Sequence, residues 1–291
     1  MLNIILFATM CVFAVDQLIY GRMLYGDDHW VSYRMPNFVL KIITLSLLCA
    51  ACSLETKPVL ETRPLDQCVV LLHGLARTAS SMEDMETALR EQGYYVVNVD
   101  YPSRDYKIED LATTVVPQSI ALCNQDTSGK IHFVTHSLGG ILVRYFLAHN
   151  TLDNLGRVVM LSPPNQGSEV VDALKDMPGF YLINGPAGQQ LGTDDASIPN
   201  NLPPVDYEVG VITGDTTVNY ILSMLIPGDD DGKVSIERAK VHGMLDFLVV
   251  HHSHPFIMEA DDVITQTLTF LRDGKFDHTL EQTAPIDYWS D

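Results

Sequence analysis

The residues best suited to chemistry surround Ser137, in the segment IHFVTHSLGGILVRYFL at positions 131–147. β-Branched and aromatic residues before this serine predict a strand, and apolar residues at helical spacing after it predict a helix. A serine at such a sharp turn presents its hydroxyl for attack on a carbonyl carbon. The turn favours small residues two positions before and after the serine, so Gly139 fits and Thr135 departs. Ser137 is therefore a candidate nucleophile, and the alternative is a serine that only caps the helix.

A nucleophilic serine also needs a base and a carboxylate that orients the base. Carboxylates cluster in the loop PGDDDGKVSIERAK, at positions 227–240. We assign Asp231, because it precedes a glycine that permits a tight turn and a valine that begins the next buried segment. Asp229 and Asp230 are typical of solvated turn residues, although either could substitute for Asp231. Asp215 is the alternative, since it lies nearer the end of the preceding strand.

Three histidines follow the last predicted strand, in the sequence DFLVVHHSHPFIM at positions 246–258. His254 is the preferred base because it stands at the loop apex, whereas His251 and His252 could still belong to the strand. A histidine cluster also suggests zinc binding. Neither an HExxH nor a CxxC pattern accompanies it. We therefore expect neither a metal nor a cofactor.

The elements that must position these residues alternate between strands and helices after a proline-containing linker at 56–64. The predicted strands are 68–72, 94–99, 131–135, 158–161, 207–212 and 247–250, and the predicted helices are 81–92, 108–123, 138–149, 169–174, 218–225 and 261–272. Several strands are nearly continuous in Val, Ile and Leu, as strands covered on both faces must be. This order predicts an α/β fold with a mostly parallel central sheet flanked by helices.

Residues 176–204 are rich in Gly, Pro and Asn and lack a clear period. We interpret them as a long loop or a small lid inserted over the site. Within them, the apolar run from Phe180 to Ile183 is either an acyl-facing surface or core.

The order Ser137, Asp231, His254, each after a strand, resembles that of α/β-hydrolase lipases and esterases, across roughly residues 66–276. The stretch VVMLSPPNQGSEVVDAL at 158–174 is also similar to bacterial lipases. The resemblance implies an α/β-hydrolase fold with a small lid-like insertion. It further implies that Ser137 attacks an ester carbonyl, that His254 takes and returns the proton, and that Asp231 orients His254. Thr135 stands where this family has glycine.

A lipase-like site also implies an oxyanion hole built from backbone amides, here those of Leu75 and Leu138. Leu75 follows His73 and Gly74 at the end of a predicted strand, where an ordinary turn is the alternative. We expect an ester or lipid substrate. A thioesterase, an amidase or an acyltransferase would share the triad, and a non-catalytic binding module would share only the fold.

The chain is acidic, with 37 Asp and Glu residues against 18 Lys and Arg residues and a net charge of −19. Binding of nucleic acid requires clustered basic residues, so this composition argues against it. A hydrophobic content of 46% over 291 residues supports one large core. The domains that we expect are an N-terminal hydrophobic region at 1–52, a linker at 53–65, a catalytic domain at 66–276 and a tail at 277–291.

The N-terminal region contains two apolar stretches with different patterns. From Met35 the chain has one lysine, an apolar run, small residues and then Cys52, which is the pattern of a signal sequence. It resembles a bacterial lipoprotein signal, although Cys49 departs from the usual pattern, and that resemblance implies lipidation at Cys52. A signal cut without lipidation is the alternative. Residues 1–20 are either a marginal membrane helix or part of a segment, residues 1–34, that is not translated because translation starts at Met35.

These patterns predict an exported protein, either anchored to a membrane through Cys52 or the N-terminal helix, or periplasmic or secreted. After signal cleavage only Cys52, Cys68 and Cys123 would remain. Cys68 and Cys123 fall at the same edge of the predicted sheet. They are therefore either a disulfide or unpaired buried residues.

Overall fold

The protein, represented by a computed structural model that describes residues 20–24, 30–34 and 66–279, divides into units of residues 1–61 and 62–291. In the first unit, strands β1 (Tyr20–Leu24) and β2 (Trp30–Arg34) pair antiparallel. The predicted signal segment with Cys52, the linker at 53–65 and the last part of the tail lie outside the described residues.

A six-stranded parallel sheet forms the centre of the second unit. Its strands are β3 (Cys68–Leu72), β4 (Tyr95–Val99), β5 (Ile131–His136), β6 (Leu155–Leu161), β7 (Val209–Gly214) and β8 (Asp246–Val250). They lie in the order β4-β3-β5-β6-β7-β8, and β3, β5 and β7 are buried along their whole length. The predicted parallel sheet is therefore confirmed, although β6 begins earlier and β7 lies two residues later than predicted.

Helices cover both faces of this sheet. They are α1 (Glu83–Glu91), α2 (Ile108–Asp126), α3 (Leu138–His149), α4 (Glu169–Leu174), α5 (Phe180–Gln189), α6 (Ile198–Asn201), α7 (Tyr220–Ser223), α8 (Ile236–Ala239) and α9 (Asp261–Asp273). The predicted bounds of α3 and α4 are confirmed, whereas α7 is shorter than predicted. The predicted lid region contains α5 and α6, and α8 was not predicted.

Alternate residues of β3 enter two separate cores, because successive side chains of a strand point to opposite faces. Val70 and Leu72 pack with residues of α2 and α3, and Val69 and Leu71 pack with residues of α1 and α9. Leu72 is paired with residues at the ends of β4 and β5. The carboxyl ends of the central strands therefore lie at one edge, where the loops that follow them meet.

A disulfide joins Cys68 at the start of β3 to Cys123 near the end of α2, with their Cα atoms 5.7 Å apart. Of the two alternatives for these cysteines, the paired one is therefore present. Within the described part of the chain, no helix combines the length and the apolar character needed to cross a bilayer.

His132 at the amino end of β5 is buried as a neutral imidazole. Its Nδ1 accepts the backbone N–H of Arg157 at 2.8 Å, and its Nε2 lies 3.1 Å from the Oε1 of Gln67. Burial, and then the positive charge of Arg157, lower the pKa of His132 to about 4. Protonation would break the bond that Nδ1 accepts, so this part of the sheet requires the neutral form.

Candidate active site

Ser137 occupies the turn between β5 and α3 with φ 52° and ψ −118°. Positive φ is uncommon for a residue with a side chain, and such strain clusters at functional sites. Gly139 is required here, because a Cβ at this position would lie 2.5 Å from the carbonyl oxygen of Leu72. The close approach of α3 to β3 therefore holds Ser137 in the strained turn that the sequence predicted.

Thr135 is fully buried two residues before Ser137, where the family has glycine. The space for its side chain comes from Gly140, since a Cβ on that glycine would lie 3.3 Å from Thr135 Oγ1. The second glycine of the sequence THSLGG thus accommodates the threonine. The turn keeps its positive φ despite the departure from the family pattern.

The structure brings the three predicted side chains Ser137, His254 and Asp231 into one hydrogen-bonded chain. His254 Nε2 lies 3.1 Å from Ser137 Oγ, and His254 Nδ1 lies 2.8 Å from Asp231 Oδ2. The backbone N–H of His254 also donates to the Asp231 carbonyl at 2.8 Å. All three residues are buried, which strengthens their mutual electrostatic interactions.

Asp231 is fully buried and remains suited to carry a negative charge. Burial by itself raises the pKa of a carboxyl group, but here His254 and the backbone hydrogen bonds outweigh it, so the pKa of Asp231 lies below its ordinary value. Its Oδ1 accepts the backbone N–H groups of Lys233 at 3.0 Å and Val234 at 2.8 Å. Asp231 therefore fixes the Nδ1–H tautomer of His254 and leaves Nε2 free to accept a proton.

The alternative acids and bases lie apart from this chain and have other partners. Asp215 bonds His251 at 2.9 Å, and Asp262 bonds His252 at 2.8 Å. Asp230 accepts from the backbone of Gly232 and from a serine hydroxyl instead of from His254. The structure therefore joins only Asp231 and His254, among these candidates, to Ser137.

The two predicted oxyanion donors, the amides of Leu75 and Leu138, donate no hydrogen bond to any of the residues that the structure describes. Leu138 begins α3, where first-turn N–H groups have no partner in the helix. Gly74 brings the other loop close, since a Cβ on it would lie 3.2 Å from the Cβ of Ser137. Both free amides thus belong to segments that adjoin the serine.

His73 holds the loop that contains Gly74 and Leu75. Its ring stacks on Tyr101 at 4.1 Å, its Nδ1–H donates to the carbonyl of Gly74 at 2.8 Å, and its Nε2 accepts the backbone N–H of Tyr101 at 3.3 Å. This arrangement uses a neutral imidazole, and burial lowers the pKa of His73. His73 therefore has a structural role beside the turn that the sequence identified.

The sequence did not assign a role to His136, which lies directly before Ser137. Its Nε2–H donates to the backbone carbonyl of His254 at 3.0 Å. Burial, and then the neighbouring His254, lower the pKa of His136 well below its ordinary value. A neutral His136 therefore holds the loop that carries His254, and only its position beside the serine could have suggested this role.

A cavity of about 390 Å³ opens beside Ser137 and His254. Its volume lies within the range of about 300–1,000 Å³ that is typical of small-molecule sites. Its apolar wall includes Val170, Val171, Leu174, Met177, Phe180, Ile183, Leu191 and Val234. Phe180 and Ile183 of the predicted lid thus line the cavity, although Ile183 is also exposed to 60%, and the neighbouring Tyr181 and Leu182 are exposed without lining it.

Among the described residues, no three His, Cys, Asp or Glu side chains form a group that could hold a metal ion. His251, His252 and His254 each bond a different carboxylate. The histidine cluster that suggested zinc in the sequence is therefore divided among three separate pairs.

Solved structures of lipases and esterases have the same fold. The mature lipase from Bacillus licheniformis is similar over 74% of this chain and 96% of its own, with a TM-score of 0.60 and 22% identity. Phospholipase PlaB from Legionella pneumophila is similar over 74% and 60%, with a TM-score of 0.56 and 17% identity. A metagenomic carboxyl esterase is similar over 69% and 70%, with a TM-score of 0.53 and 18% identity. No curated protein sequence matches significantly.

A sequence model described as the alpha/beta hydrolase family matches residues 69–215. The match spans just over half of the 291 residues and includes Ser137, but it ends before Asp231 and His254. The six-stranded parallel sheet and the turn at Ser137 are consistent with this match. The chain belongs to the α/β-hydrolase family.

Proposed function

We propose that this protein is a serine hydrolase that cleaves carboxylic esters through an acyl-enzyme. The observation that carries the proposal is the hydrogen-bonded chain from Ser137 Oγ through His254 to the buried Asp231. A serine in a strained turn, a base at 3.1 Å and a carboxylate behind the base are the parts that acyl transfer requires.

In the proposed reaction, Ser137 Oγ attacks the ester carbonyl carbon while His254 Nε2 takes the hydroxyl proton. The amides of Leu75 and Leu138 donate to the oxyanion, and Asp231 stabilises the imidazolium. Collapse breaks the ester bond, and the leaving alcohol takes the proton from His254. Water, deprotonated by His254, then attacks the acyl-serine. Collapse breaks the bond to Ser137 Oγ, which takes the proton back from His254, and the carboxylic acid is released.

The substrate that we propose is an acyl ester with an apolar acyl chain. The apolar wall of the cavity beside Ser137 supports this proposal. So do exposed apolar residues that are adjacent in sequence to cavity-lining ones, namely Leu182 beside Ile183 and Ile221 beside Leu222. Exposed apolar side chains beside a binding cavity are typical of contact with lipid or protein. The structural relatives described above, a lipase, a phospholipase and a carboxyl esterase, agree with an ester or lipid substrate.

The test is steady-state hydrolysis of p-nitrophenyl esters from acetyl to hexadecanoyl, with matched octanoyl thioester and amide substrates. We expect ester hydrolysis that Ser137→Ala abolishes, with the highest kcat/KM beyond acetyl. Faster cleavage of the thioester or of the amide would instead assign the protein as a thioesterase or as an amidase. No turnover of any of them by folded protein would favour the non-catalytic reading.

We also propose that the protein is exported, either anchored to a membrane through Cys52 or the N-terminal helix, or periplasmic or secreted. The Cys68–Cys123 disulfide supports export, because disulfides persist in oxidising compartments. Cell fractionation with mass spectrometry of the native N-terminus tests this. A lipidated Cys52 at the N-terminus is the result expected for a lipoprotein, and recovery in the cytoplasm with reduced cysteines would contradict export.

A further inference from the structure

Two cationic side chains, Arg77 and Lys233, line the cavity beside Ser137 and His254. The cavity-lining residues among those described include no Asp or Glu, although acidic residues outnumber basic ones by 37 to 18 in the chain. A cavity wall with the average composition of this chain would contain more carboxylates than basic side chains. The wall therefore has a local positive charge that the composition of the chain does not explain.

Neither cation forms an ion pair with a carboxylate within the described part of the chain. The nearby carboxylate of Asp231 is already bonded to His254 and to two backbone N–H groups. Lys233 is exposed to solvent on one side, and desolvation by the cavity wall, followed by the charge of Arg77, lowers its pKa. An anion bound beside both cations would offset their mutual repulsion.

Both cations are attached to segments that carry the proposed catalytic groups. Arg77 lies two residues after Leu75, and its Nη2 donates to the carbonyl of Pro255 at 2.9 Å, directly beside His254. Lys233 lies two residues after Asp231. The cations therefore adjoin the His254 side of the cavity, and His254 is the group that returns a proton to the leaving alcohol.

We propose that Arg77 and Lys233 form a subsite for an anionic group, phosphate or carboxylate, on the alcohol part of the ester substrate. This proposal rests on the proposed ester hydrolysis and specifies its substrate class. The acyl chain lies along the apolar wall, and the charged alcohol part lies toward the two cations. Charge-assisted hydrogen bonds from a guanidinium and an ammonium group provide the recognition.

The first test measures binding without hydrolysis, by calorimetric titration with octyl phosphate and with octyl alcohol, each as a monomer in solution. We expect octyl phosphate to bind at least about tenfold more tightly, and Lys233→Gln to remove most of that difference. Lys233→Arg keeps the charge and should keep the preference. Equal affinity for the two ligands, or a preference that survives both Lys233→Gln and Arg77→Gln, would overturn the subsite.

The control variant is Lys275→Gln, which removes the same charge from an exposed position. Lys275 precedes Phe276, whose ring lies against Gly210 near the start of β7, at the opposite edge of the sheet. A purely long-range charge effect would lower octyl phosphate affinity equally in both variants, and this result would also count against the subsite.

The second test compares kcat/KM for octanoyl esters of glycerol, glycerol 3-phosphate and 3-hydroxypropionate. We expect one or both anionic esters to exceed the neutral one by at least about tenfold, and the better of the two identifies the anion. The ratio should fall about tenfold in Lys233→Gln. Hydrolysis of the neutral ester with no anionic preference would overturn the subsite and leave the proposed function intact. Anion binding without hydrolysis of any ester would leave the anion subsite intact and overturn the proposed ester hydrolysis.

Discussion

The substitution Asp231→Asn tests the assigned carboxylate with a minimal change of shape. Asp231 is fully buried, and its Oδ1 accepts two backbone N–H groups at 2.8 and 3.0 Å. An asparagine that turned its NH₂ toward those donors would lose both bonds, at a cost of about 1–3 kcal/mol each. The amide oxygen therefore stays with the backbone, and the NH₂ faces His254 Nδ1.

In that orientation the NH₂ donates to Nδ1, so the imidazole must carry its proton on Nε2. Nε2 lies 3.1 Å from Ser137 Oγ and can then no longer accept the serine proton. The loss of a correctly oriented base in a serine triad is about 10⁴-fold in kcat, or roughly 5 kcal/mol of transition-state stabilisation. We expect a loss of this size for Asp231→Asn on p-nitrophenyl octanoate at pH 7.

Asp215→Asn is the matched control, because Asp215 is the alternative acid and pairs with His251 instead of His254. We expect its kcat/KM to change by no more than about threefold, since this pair is partly exposed. Melting temperatures should show that both variants fold. A loss of more than about 10³-fold in Asp215→Asn, with less than about tenfold in Asp231→Asn, would refute the assignment.

Three further predictions concern the framework of the site. Gly139→Ala should destabilise the fold by about 1–3 kcal/mol and reduce activity, because the added Cβ would lie 2.5 Å from the Leu72 carbonyl oxygen. Urea unfolding measures the change in stability, and a variant as stable as the wild type would contradict the prediction. Replacing Cys68 and Cys123 by Ala should lower stability by about 4 kcal/mol, given their separation of 55 residues, and dithiothreitol should then have no further effect. The pKa of His132 is about 4 in the fold against 6.5 unfolded, so the unfolded chain binds more protons between these values and stability falls as pH falls. Between pH 7 and 5 the loss attributable to His132 should be about 2 kcal/mol, and His132→Gln should remove that part of the dependence.

The sequence was sufficient to predict the sheet and the order of the site residues. Strand β3 is buried along its whole length, as its continuous run of Val and Leu predicts, and β3 and α3 have the predicted bounds. The position of Ser137 between a strand and a helix depends on local residues alone. The order of Asp231 and His254 after later strands determines which loops meet at the sheet edge.

The remaining features depend on contacts that are distant in sequence. Helix α5 lacks a clear period because Gly185 breaks its helical geometry, and a Cβ on that glycine would lie 1.7 Å from the Arg104 carbonyl oxygen. The accommodation of Thr135 by Gly140 and the bond from His136 to the His254 carbonyl arise only in the folded chain. No periodicity in the sequence records such contacts.

In the proposed mechanism, Ser137 is a nucleophile activated by His254. The most direct measurement is labelling of the folded protein with a fluorophosphonate probe, followed by mass spectrometry of the modified peptide. We predict one label per chain on Ser137, with none in Ser137→Ala and a rate reduced at least about 10³-fold in His254→Ala. Folded wild-type protein that stays unlabelled, or carries the label on another residue, would contradict the account.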